Sequence, residues 1–133
     1  MPLVTTGLYA APLTLIMIAL SMHVTMLRAK TGISILDGGN LDLAERIRRH
    51  GNFIETAPMG LLLIAIAELS GGEAVFLNIS GCLLVAGRLL HARGLNRNNG
   101  TAPARIAGGV ATTMAAILMV ITTLRHVLPI LSF

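Results

Sequence analysis

Four long apolar runs, separated by short polar segments, leave this chain little choice of fold. The runs extend from Leu8 to Leu27, Phe53 to Leu69, Ala74 to Leu90 and Ile106 to about Leu131. A bilayer core requires about 20 mostly apolar residues per helix. Within lipid the backbone has no water to bond, so helices are the open-ended structure such runs can adopt. The expectation is an all-α membrane protein, an antiparallel bundle of four transmembrane helices forming one domain of 133 residues. Ser70-Gly71-Gly72-Glu73 reads as a tight reversal between the second and third helices, and Asn96 to Pro103 as the loop before the fourth.

The charge pattern agrees. Charged residues make up 12% of the chain, about half the share usual in a soluble domain, and mean hydropathy is +0.78. Arg28, Lys30, Arg46, Arg48 and Arg49 follow the first run, Arg88, Arg93, Arg97 and Arg105 surround the third-to-fourth connection, and Arg125 alone lies near the other side. By the positive-inside rule both basic loops are cytoplasmic and both termini lie across the membrane. The first run has its charges after it rather than before it, so it reads as an anchor and not a signal peptide. The segment from Thr31 to Glu45 is expected to be a loop along the membrane surface. A net charge of +4 with 3% aromatics offers no aromatic-interleaved basic stripe, so nucleic acid is excluded as a partner. No His, Cys, Asp and Glu grouping has metal-ligand spacing. Cys82 stands alone and reads as a core filler. Gly108, Thr112 and Ala116 have the spacing of a close helix contact, within one protomer or between two.

Chemistry is concentrated at the start of the second run. Arg48, Asn52 and Glu55 are four and three residues apart, which at about 100° per residue places them in one stripe of a helix. His50 lies just off it. Glu55 is an ionisable group in an apolar run, and such a group faces a partner or a functional cavity. Pro58 beside it is a kink candidate. From spacing alone, the stripe serves equally as a ligand site or as an interhelical salt-bridge network that fixes the bundle.

The string Arg48-Arg49-His50-Gly51-Asn52-Phe53-Ile54-Glu55-Thr56-Ala57-Pro58 resembles the Arg-x-His-x-Asn-x-x-Glu-x-x-Pro signature of the MAPEG family, the membrane-associated proteins of eicosanoid and glutathione metabolism. Gly87-Arg88-Leu89-Leu90-His91 and Arg105-Ile106-Ala107-Gly108 agree with it. The resemblance, to a microsomal glutathione transferase-like protein of bacterial type, implies a homotrimer that binds glutathione as co-substrate in clefts between protomers. It assigns Arg28 and Arg48 to the glutathione carboxylates, His50, Asn52 and His91 to polar contacts, Glu55 to the glutamyl amine, and Arg105 to the thiolate. Arg88 and Arg93 are alternatives to Arg105, or else snorkelling interfacial residues. The implied activity is a glutathione-dependent transferase or peroxidase acting on small lipophilic electrophiles or hydroperoxides, a detoxifying role, in the inner membrane if the source is bacterial.

The sequence departs from the mammalian-type pattern in having His91 and Leu95 where tyrosines towards the end of the third helix contact glutathione. Its one tyrosine, Tyr9, is near the opposite side. That departure keeps open a non-catalytic MAPEG-type protein that binds a lipid or a partner. A small exporter of lipophilic cations, with Glu55 as its coupling carboxylate, is a third reading. It is disfavoured because Glu55 sits among arginines and tryptophan is absent. His23 and His126 read as interfacial polar residues.

Overall fold

A computed structural model describes residues 2–131 as four helices, α1 (Val4–Thr31), α2 (Leu41–Leu69), α3 (Ala74–Gly94) and α4 (Pro103–Leu131). Each is long and apolar enough to cross a membrane. The central pair α2 and α3 pack on each other, and each also contacts α1 and α4, whereas α1 and α4 are not neighbours among the described residues. Leu13, Phe53, Ile64, Leu77, Leu84 and Met119 meet in the core. Ile18, Met22, Val110, Met114 and Ile117 point outward, as suits a surface solvated by lipid.

The helix ends follow from local chemistry. Gly32, at φ 69°, closes α1, donating its N–H to the Arg28 carbonyl at 2.9 Å. The segment expected to be a surface loop is shorter than the sequence suggested, because Asn40 caps α2. Its side-chain oxygen accepts from the Asp42 and Leu43 amides, both at 3.0 Å. Residues 41–52 are therefore helical and carry α2 beyond its apolar run. Pro12 and Pro58 lie inside continuous helices. Gly71, at φ 88°, makes the reversal into α3, and the Gly72 amide donates to the Ala67 carbonyl at 2.9 Å.

On the side opposite the basic loops, the two Glu68 carboxylate oxygens accept from the Thr5 and Thr6 amides, each at 2.8 Å, and from the Thr6 hydroxyl at 2.7 Å. A carboxylate from α2 thus caps the start of α1, where the helix dipole favours negative charge. Arg125 pairs with Glu73 at 3.2 Å on the same side.

α3 and α4 approach most closely along glycines. A Cβ on Gly87 would meet the Thr112 hydroxyl at 2.7 Å and the Gly108 carbonyl at 2.9 Å, and one on Gly94 would collide with the Arg105 backbone. Gly108 and Thr112 therefore serve packing within the protomer. Gly94→Ala is expected to lower the melting temperature in detergent, at a cost of roughly 1 to 3 kcal/mol for overpacking against backbone. Gly109→Ala, which meets nothing within 4 Å, is the control and should melt at or slightly above the wild type, since alanine is the better helix former.

Candidate functional site

The amino-terminal turns of α2 bring the predicted stripe to the basic end of the bundle. Arg48 Nη1 and Glu55 Oε1 are 3.2 Å apart, with 62% and 55% of their side-chain surface exposed. The pair lies within one helix and in the open, so it does not brace one helix against another as the interhelical reading required. An exposed ion pair of this kind contributes about 0 to 1 kcal/mol to folding. Arg48 and Glu55 line an open cavity of about 380 Å³ with Leu36, Asp37, Ile47 and Gly51.

Asn52 turns to a different partner. Its Oδ1 accepts from Arg88 Nη1 at 3.0 Å, while Arg88 Nε and Nη2 both donate to Thr112 Oγ1, at 3.1 and 2.8 Å. The Thr112 hydroxyl in turn donates to the Gly108 carbonyl at 2.8 Å. Arg88 is 3% exposed. It does not snorkel, as the interfacial reading expected, because α2 and α4 supply neutral acceptors in the interior. It forms no ion pair with a described residue, so three hydrogen bonds from a guanidinium hold α2, α3 and α4 together. An ionisable residue inside the third apolar run was the signal in the sequence that could have marked it.

His91, half-buried one turn further along α3, lies in the combined field of Arg88, Arg105 and Arg48. Arg105, at the start of α4, donates to the Gly100 carbonyl at 3.1 Å. The structure thus gathers Arg48, Asn52, Glu55, Arg88, His91 and Arg105 at one end of the bundle. Arg28 is engaged elsewhere, donating from Nη1 to the carbonyls of Ile33 at 3.1 Å and Leu36 at 2.9 Å. It fixes the loop wall of the same cavity, where Leu36 has the unfavourable φ of 54°. His50 is half-buried on α2 and Arg93 is exposed on α3.

A polar clasp secures this end. Arg49 bonds Glu45 at 2.6 Å and the Leu95 carbonyl at 2.7 Å, Glu45 accepts from the Arg97 amide at 3.0 Å, and Arg97 pairs with Asp42. The clasp ties the extension of α2 to the α3–α4 loop, and Asp42 raises the pKa of the exposed Arg97 guanidinium. Cys82 is exposed on α3 and its sulfur lies 3.3 Å from the Tyr9 hydroxyl, so it is not the core filler expected from its apolar neighbours. Among the described residues, no group of His, Cys, Asp and Glu is placed to hold a metal.

Comparison with known proteins shows the family and the membrane setting. The chain is 34% identical over 119 residues to the inner membrane protein YecN of Escherichia coli K12, covering 90% of this chain and 89% of that protein. The YecN protein of E. coli O6:H1 is similar to the same extent. No solved structure matches the chain. Residues 6–125 match the MAPEG family across all four helices and the Arg48–Glu55 site, and this multi-pass integral membrane protein belongs to that family.

Proposed function

We propose that this chain is a glutathione-dependent transferase or peroxidase that works as a homotrimer on small lipophilic electrophiles or hydroperoxides at the membrane. The observation that carries the reading is the exposed Arg48–Glu55 pair, 3.2 Å apart beside an open cavity. Glutathione bears a carboxylate and an ammonium on one glutamyl carbon, which is the charge complement of that pair. Arg48 takes the carboxylate and Glu55 the ammonium. His50, Asn52 and His91 supply further contacts, Arg28 holds the Leu36 wall of the cavity against which the ligand lies, and Arg105 is the cation for the thiolate. A nearby guanidinium lowers a thiol's pKa by favouring its charged form. The thiolate then forms a carbon–sulfur bond with an electrophile that arrives from the lipid, and the electrophile's leaving group departs with the displaced electron pair.

Titration of the detergent-solubilised protein with glutathione tests the site. Glu55→Gln and Arg48→Ala should each weaken binding roughly ten- to a hundredfold, the loss of one charge-assisted contact. Because the pair is exposed, neither should change the melting temperature appreciably. Arg49→Ala should behave in the opposite way, lowering stability through the clasp and sparing affinity. Equal affinity losses in all three variants would replace the assigned site with a general electrostatic funnel.

One observation favours the non-catalytic alternative, a MAPEG-type protein that binds a lipid or a partner. Leu95, in the region where mammalian-type members have glutathione-contacting tyrosines, is buried with its carbonyl held by Arg49. Formation of a glutathione thiolate near neutral pH separates the two readings.

A further inference from the structure

On the flank of the bundle between α1 and α2, a second and smaller cavity of about 130 Å³ is lined by Leu20, His23, Arg46 and Arg49. Arg46 Nη1 donates to the His23 carbonyl at 2.9 Å, which holds the guanidinium against α1. That is its one hydrogen bond among the described residues, and it forms no ion pair with a described carboxylate. Arg49 is paired with Glu45. The two guanidiniums and one carboxylate leave a single net positive charge at the hollow. The Arg46–His23 bond also sets its depth. It joins the polar extension of α2 to the apolar run of α1, and Leu20 provides an apolar wall. A junction of polar and apolar helix surface at the basic ends of the spans is where lipid tails give way to headgroups.

We infer that the His23–Arg46–Arg49 cavity binds a phosphate group bearing one negative charge, supplied by an anionic phospholipid of the leaflet on that side. A phosphodiester matches the net charge, and its oxygens match a donor set of guanidinium N–H groups. Basic pockets between helices at this depth suit lipid headgroups, whose attraction to arginine is strongest on the cytoplasmic face. Outward-facing apolar side chains of α1, among them Ile18 and Met22, offer acyl chains a surface below the headgroup. The site uses neither Arg48 nor Glu55 and does not depend on the glutathione reading.

The test is calorimetric titration of the full detergent-solubilised chain with three probes. Dioctanoyl phosphatidylglycerol has the phosphodiester and the tails, dioctanoylglycerol the tails alone, and glycerophosphoglycerol the phosphodiester alone. Phosphatidylglycerol should bind once per chain and more tightly than either other probe. Arg46→Gln should weaken that binding roughly tenfold or more, and Arg46→Lys, which keeps the charge, should weaken it less. Arg48→Ala should leave lipid affinity intact, while Arg46→Gln should leave glutathione affinity intact.

Dioctanoylglycerol binding as tightly as phosphatidylglycerol, or an unchanged affinity in Arg46→Gln, would overturn the site. Equal losses in Arg46→Gln and Arg48→Ala would overturn it too, as a diffuse charge effect. Glycerophosphoglycerol binding as tightly as the lipid would overturn the lipid as its source. Should Arg46→Gln fail to fold, the three probes on wild-type protein still decide the matter.

Discussion

Arg105→Ala is expected to lower glutathione turnover about a hundredfold or more while leaving most glutathione affinity in place, the effect of removing one fixed group that stabilises charge at the reacting atom. A cation near the membrane interface is worth more to a thiolate than the same cation in water, because the surroundings screen it less. The thiolate absorbs in the near ultraviolet where the thiol does not. Wild-type protein mixed with glutathione should therefore show that band at neutral pH. In the variant the thiol's pKa is no longer held down, so the band should appear only at more alkaline pH. Glutathione that binds to wild type without forming thiolate near neutrality would favour the non-catalytic reading. Arg88 and Arg93 offer the internal comparison. If Arg93→Ala abolishes the band and Arg105→Ala does not, the cation that serves the thiol is Arg93, and the ligand assignment stands. The same substitution at Arg88 is harder to read, since its guanidinium also holds the helices together.

Thr112→Val should be among the most destabilising isosteric changes in the chain. The hydroxyl accepts two of the three hydrogen bonds that satisfy the buried Arg88 guanidinium, and valine fills the same volume with no acceptor. Depriving a buried charge of its partners costs about 2 to 4 kcal/mol, which thermal melting in detergent would register as a fall of roughly 5 °C or more. Arg88→Met removes the demand for acceptors together with the charge. Combined with Thr112→Val, it should recover part of the stability that Thr112→Val alone loses, so the two effects should not add. Strict additivity would mean that the guanidinium finds water or other acceptors when Thr112 is lost, and that the three-helix junction is not held by this network.

The spans and the Arg48–Asn52–Glu55 stripe were legible in the sequence because both depend on local periodicity and on the rarity of charge in an apolar run. What depended on a second helix was not. Whether Arg88 points to the interface or the interior is decided by Thr112 on α4 and Asn52 on α2, and nothing near Arg88 in the chain announces either. Cys82 faces outward because Gly81 beside it receives the Tyr9 ring, a contact between residues far apart in sequence. The polar start of α2 had a visible signal in Asn40 followed by Asp42, a cap and a first-turn acid, but the apolar run beginning at Phe53 is the stronger pattern and masked it. Arg28 shares the site's cavity only through the backbone of Leu36, an arrangement of carbonyls that no side-chain pattern encodes.

Glu68 makes the start of one membrane span depend on the end of the next. The opening turn of α1 is not completed by its own neighbours in sequence, since the Thr5 and Thr6 amides find their carboxylate 63 and 62 positions later. Until α2 has crossed the bilayer and brought Glu68 back beside the amino terminus, those donors have only interfacial water. A bilayer-inserted α1 that has lost the last turn of α2 is therefore in place but unlatched. The first two spans are latched to each other by a contact that the glycine seam between α3 and α4 does not share.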